Sequence, residues 1–151
     1  MTVTIRPLVA SDVLAVDIQP MQLIEQQLID HHYGETVAHG DGWTAERNGR
    51  VIACAGLVAT DSRSALAWGL LSCSIGTGMV AMTRKARAVI AASRWERIEM
   101  LARADWPEAL EWAALIGFRQ VAVLRRWGPA AADHVLFEVI KDVAASGEAA
   151  R

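Results

Sequence analysis

The chain has 151 residues, 53% of them hydrophobic and 21% charged, with a formal net charge of −2. That length fits one domain with a single core, and the composition excludes a disordered chain. The near-neutral charge excludes broad binding to nucleic acid or to an anionic membrane surface.

No basic segment leads into an apolar run at the N-terminus, so no secretory signal is expected, and the apolar runs break well before a membrane-spanning length. Lys85 and Lys141 are the only lysines, a compositional bias toward arginine. Cys54 and Cys73 have neither a metal-site nor a disulfide spacing, which fits a reducing compartment. Six tryptophans are read first as core filling.

Thr2 to Arg6 alternates polar residues with Val3 and Ile5 before Pro7, which predicts a short strand. Ser11 or Asp12 can cap a helix running to about Val16. Met21, Ile24 and Leu28 share one face of a second expected helix, Met21 to about His31. The segment from Gly34 to Gly42 has turn composition. Trp43 to Arg47 and Arg50 to Val58 flank Asn48-Gly49, the dipeptide of a type I′ hairpin. After a turn at Ser62–Ser64, Ala65 to Leu71 completes an antiparallel run. Gly69 in mid-strand predicts a bulge or a close backbone approach.

A small-residue loop, Ser72 to Gly78, leads into a helix from Met79 to about Ser93, with Met82, Ala86, Val89 and Ile90 as its buried stripe. Trp95 to Arg103 is a strand. The next helix has Asp105 to cap it, Pro107 in its first turn and Gly117 to end it. Strands at 119–126 and 134–140 close a single α+β domain, and the tail from Ala144 is expected to fray.

The chemistry-bearing candidate is the loop Cys73-Ser74-Ile75-Gly76-Thr77-Gly78 between a strand and a helix. Its glycines let backbone N–H groups approach a pyrophosphate, which a helix N-terminus also favours. Arg84, Lys85 and Arg87 lie close enough in sequence to help. Cys73 sits near a helix start, but no histidine is adjacent in sequence, so it is read as a small loop residue and not a nucleophile. His31, His32, His39, Glu35 and Asp41 form a polar cluster; adjacent histidines on a helix end point apart, so the expectation is a solvated terminus without metal. Arg125-Arg126-Trp127 is read as an exposed strand end or a protein interface.

Thr4-Ile5-Arg6-Pro7-Leu8, Asp12, the Asn48-Gly49 hairpin and the terminal Gly117-Phe118 together resemble an N-acetyltransferase-like (GNAT) domain over about residues 2–140. The resemblance implies a mixed, mostly antiparallel sheet flanked by helices on both faces. It also implies an acetyl-CoA pyrophosphate on a loop of pattern Gln/Arg-x-x-Gly-x-Gly/Ala. Gly76 and Gly78 match the small positions, while Cys73 stands where Gln or Arg is expected. A strand splayed near Gly69 would leave room for the pantetheine arm. The family's Asn-x-x-Ala-x-x-x-Tyr is represented by Trp106, Ala109 and Ala113, so the tyrosine that protonates the leaving thiolate is an alanine. A glutamate on a central strand often serves as base in this fold, which makes Glu99, or Glu46 on the hairpin, the candidate.

Three further segments resemble GNAT-like proteins of tailed bacteriophages, including internal virion proteins of podoviruses. They are Ala67–Ser72, Ala109–Phe118 and Trp127–Asp133. That resemblance implies a structural or assembly component of the virion with a degenerate acyl-CoA site. It implies other phage structural proteins or self-association as partners, and the virion or host cytoplasm as location, without membrane or specific nucleic acid. The alternative is a working acetyl-CoA-dependent N-acyltransferase in which Glu99 takes the amine proton and water replaces the tyrosine.

Overall fold

The structure, a computed structural model, describes residues 2–22 and 31–142. The helix expected over Met21–His31 falls mostly on residues 23–30, outside the described residues, as does the tail from Ala144. The strands are β1 (Thr4–Pro7), β2 (Asp41–Arg47), β3 (Arg50–Ala59), β4 (Ser64–Leu71), β5 (Arg97–Arg103), β6 (Arg119–Trp127) and β7 (Ala132–Ile140). They form a seven-stranded sheet of order β1-β2-β3-β4-β5-β7-β6. The β4–β5 pair is parallel, while β1–β2, β2–β3, β5–β7 and β6–β7 are antiparallel. The fold is thus α+β, as expected. The helices are α1 (Asp12–Ala15), α2 (His31–Ala38), α3 (Gly78–Ala92) and α4 (Pro107–Leu115), with a 3₁₀ turn at Pro20–Gln22.

The chain divides into two compact units, Met1–Val58 with Trp68–Ala86, and Ala59–Ala67 with Arg87–Arg151. In the first unit, Leu8, Val13, Val16, Ile18, Val37, Cys54 and Leu70 form a buried cluster against which Tyr33 and Trp68 pack. The Asn48-Gly49 hairpin is present, with φ of 54° and 75° at the two turn residues. The turn expected from Gly34 is instead part of α2. A Cβ at Gly34 would lie 2.2 Å from the Ala10 carbonyl oxygen, so this glycine serves a close helix approach and not a turn. Tertiary packing here overrides a local signal that favours loops.

Asp12 anchors the same unit. Its carboxylate accepts from Arg6 Nη1 and Nη2 at 2.8 Å, from the Val9 N–H at 2.9 Å and from Thr44 Oγ1 at 2.7 Å. Burial alone would raise the Asp12 pKa; the hydrogen bonds from Arg6, Val9 and Thr44 outweigh it and hold the carboxyl below its ordinary value. Burial pushes the neighbouring Cys54 thiol up to about 12, so it behaves as an apolar side chain.

In the second unit, Ile98, Trp95, Ala113, Ile116, Phe118, Val135 and Phe137 are buried. Glu108 and Glu111 on α4 are exposed, as the helical pattern requires. Asp105 does not cap α4 as expected. It pairs with Arg103 at 2.8 and 2.9 Å, and Trp106 takes the cap position without a side-chain bond. Pro107 does occupy the first turn. Lys141 Nζ donates to the carbonyls of Ile90 (2.9 Å) and Ala91 (3.1 Å), closing the C-terminus of α3.

Candidate functional site

The loop expected to bind a cofactor leaves the C-terminal end of β4. At that end the Ser72 N–H donates to Ile52 O of β3 at 2.9 Å. Backbone groups alternate along a strand, so those of Gly69 and Leu71 point the other way, away from β3. They do not stand open. The Gln19 N–H donates to Leu71 O at 2.9 Å. Gln22 Nε2 donates to Gly69 O at 2.8 Å, and the Leu71 N–H donates to Gln22 Oε1 at 2.9 Å. Gln22 is only 7% exposed, and its carboxamide stands in for a neighbouring strand. No close backbone approach explains Gly69: a Cβ there would sit at ordinary distances, 3.7 Å from Ala55 Cβ and 3.8 Å from Cys54 O.

The same segment, Asp17–Gln22, reaches into the loop. Ile18 bridges Ser72 in antiparallel fashion. Gln19 Nε2 donates to Ser72 O at 3.3 Å, the Cys73 N–H donates to Asp17 O at 2.8 Å and Cys73 Sγ donates to Ile18 O at 3.1 Å. Cys73, the departure from the family pattern, is therefore tied to this strap.

The remaining loop amides are mostly engaged within the loop. The Ser74 N–H donates to Ser72 Oγ at 3.1 Å, the Ile75 N–H to Ser72 O at 3.2 Å and the Gly78 N–H to Ile75 O at 2.8 Å. Gly76 (φ 49°) and Thr77 are the loop residues whose N–H groups have no partner among the described residues. Arg47, at the end of β2, directs Nη1 to Ile75 O at 3.2 Å and Nη2 to Ser74 O. A guanidinium that could neutralise an anion is thus bound to loop carbonyls. Gly78 is a packing glycine, since a Cβ would lie 2.8 Å from Ile52 Cδ1. A cavity of about 370 Å³ beside the loop carries mixed charge from Asp17, Arg47 and Arg50. Arg84 is exposed on α3.

The other candidates lie elsewhere. Glu99 Oε2 accepts from Arg97 Nη2 at 2.9 Å; Arg97 Nη1 also bonds Glu138 Oε1, and Arg119 bonds Glu138 Oε2 at 2.5 and 2.8 Å. Hydrogen bonds from Arg97 first, then Arg119, hold Glu138 below its ordinary pKa. Glu99 thus sits in an ion-pair network across β5, β6 and β7. Glu46 pairs with Arg6 Nε at 2.8 Å. Ala113 is 0% exposed. The side chains of His31 and His32 lie outside the described residues, and His39 is exposed. Among the described residues no three His, Cys, Asp or Glu side chains converge as metal ligands, and no helix is long and apolar enough to cross a membrane. Trp127 packs edge-on against His134 at a centroid distance of 5.1 Å, while Arg125 and Arg126 are exposed at the end of β6.

No protein-family model matches the chain, and no curated protein sequence matches it significantly. Solved structures do match. Ard1 from Thermoplasma volcanium superposes with a TM-score of 0.71 at 14% identity, covering 93% of this chain and 98% of its own. A spermidine N-acetyltransferase chimera of SpeG from Vibrio cholerae and hSSAT gives 0.69 at 14% identity, covering 93% and 96%. The yncA protein of Salmonella typhimurium, solved with its cofactor acetyl-CoA, gives 0.72 at 14% identity, covering 94% and 95%. The fold is that of the GNAT acetyltransferases.

Acetyl-CoA is the cofactor that fold implies. The residues present do not fit it: the β4 edge at Gly69 and Leu71 is taken by Gln22 and Gln19, and Arg47 is bound to loop carbonyls. Sequence reasoning found the loop but missed Asp17, Gln19, Gln22 and Arg47. The first three lie about fifty residues from their partners in sequence, and no local pattern announces such a contact.

Proposed function

We propose that this chain is a GNAT-fold component of a tailed-phage particle, structural in role and carrying a degenerate acyl-CoA site. The observation that carries the loss of chemistry is Ala113, which stands where the resemblance places the tyrosine acid and is fully buried. A methyl group cannot deliver a proton, and a positioned acid is typically worth about 10²–10⁴ in rate. The assembly part of the reading draws on the segments Ala67–Ser72, Ala109–Phe118 and Trp127–Asp133. Other virion proteins or further copies of the chain are its partners, in the particle or the host cytoplasm.

Titration with acetyl-CoA tests the loss of function. A ligand held at about 100 times its Kd adds about 2.7 kcal/mol, which raises the melting temperature of a chain this size by roughly 5–11 °C. No shift is expected at millimolar acetyl-CoA; a shift of that size overturns the degenerate site. Mass spectrometry of purified particles tests the role, with the chain expected in stoichiometric amount and its absence ending the reading.

A second reading, an acetyl-CoA-dependent N-acyltransferase, is favoured by the amides of Gly76 and Thr77 just before α3, which have no partner among the described residues. In it those amides and Arg84 hold the pyrophosphate, Glu99 leaves Arg97 to accept the amine proton, and water supplies the missing acid. Release of CoA thiol by the wild-type protein with any of a panel of amines would establish it.

A further inference from the structure

Gln22 supplies one donor and one acceptor to a strand edge, where they meet Gly69 O and the Leu71 N–H; Leu71 O on the same edge accepts from the Gln19 N–H. That two-point match is the signature of an amide, whichever chain carries it. Over Ser64–Leu66, β4 takes an ordinary strand partner, β5. At Gly69 and Leu71 it takes a side chain instead. A side-chain amide on a 3₁₀ turn is held by few residues and is easier to displace than a strand in a ladder.

We infer that the Asp17–Gln22 strap is a built-in occupant of an amide-recognising strand edge, and that removing the Gln22 carboxamide lets the edge take an extended amide-bearing chain of the pantetheine type. The inference rests on reading this edge and loop as a closed donor site. It explains why the site fails to fit a donor although the surrounding fold is kept: the hydrogen-bonding groups are intact but occupied. The chain's own Gln22 is the competitor, so the edge is blocked without being destroyed.

Hydrogen exchange at the Leu71 amide reads this directly, with pantetheine as the probe. In the wild-type protein Leu71 is protected and pantetheine changes nothing. In Gln22→Ala its exchange rises about tenfold, as expected for loss of one buried hydrogen bond, and pantetheine restores the protection. Protection that survives Gln22→Ala overturns the role of the strap. Lost protection that pantetheine does not restore overturns the amide-recognising edge. Gln22→Met keeps length and apolar contact while removing both hydrogen bonds, and gives the same readout if the alanine variant does not fold. Absence of the chain from purified particles bears on the structural role alone; the Leu71 amide decides the strap.

Discussion

Two junctions, one in each compact unit, join a strand to a helix through glycine, and they are held in opposite ways. Between β4 and α3, the loop Ser72–Gly78 is fixed by partners far away in sequence: Asp17, Ile18, Gln19 and Arg47. Between α4 and β6, the turn Ile116–Phe118 closes on its own helix. The Ile116 N–H donates to Trp112 O at 3.0 Å, that of Gly117 to Ala114 O at 3.1 Å and that of Phe118 to Ala113 O at 3.0 Å. The second junction is local chemistry, and the first is a tertiary assembly. A fold can therefore keep the outline of a functional loop while long-range contacts take over the groups that function would use.

The largest expected effect lies at the root of the first junction, where Asp12 starts the helix that leads into the strap. Asp12→Ala leaves the Thr44 hydroxyl and part of the Arg6 guanidinium without an acceptor, a loss of about 2–4 kcal/mol in urea unfolding. Cys73 amide exchange, which reports the bond to Asp17, is expected to quicken in the same variant. The carboxyl is depressed in the folded state, so its contribution is complete above an unfolded pKa of about 3.9 and is lost as pH falls through the lower folded value. Asp12→Asn is expected to flatten that acid limb below about pH 4; an unchanged limb would show that other carboxylates control it.

Next in size is the attempt to restore chemistry at the second junction. Ala113→Tyr forces a ring into a position with no exposed surface and is expected to cost about 1–3 kcal/mol. It gains no acetyl transfer, because the donor edge at Gly69 and Leu71 remains occupied. CoA release by this variant would break the comparison, since it would mean that only the acid was missing.

The smallest effects separate the two glycines. Gly117 has φ of 109°, a region costly for any other residue, and Gly117→Ala is expected to lose about 1–3 kcal/mol. Gly76, at φ of 49°, lies in the left-handed region with only Ser74 O within 4 Å of a new Cβ, at 3.9 Å. Gly76→Ala is expected to cost about 1 kcal/mol. Thermal unfolding of the pair measures the difference, and equal losses would mean that the two backbone conformations cost an alanine the same.

The sequence by itself determined whatever depends on neighbours along the chain. Asn48-Gly49 specified the hairpin because both positions need positive φ. Alternation of polar residues with Val3 and Ile5 marked β1, and Pro107 with Gly117 bounded α4, because period and breaker are both local. It also placed the candidate loop and showed that Ala113 could not act as an acid, since that follows from residue type. The tertiary structure alone decided that Gly34 belongs in a helix against Ala10, that Asp105 serves Arg103 and not a cap, and that Glu99 is bound to Arg97. It alone decided that Gln22 covers the β4 edge. Each of these depends on a contact whose geometry is set by how the elements pack, and a hydrogen bond across some fifty residues leaves no periodic or compositional trace.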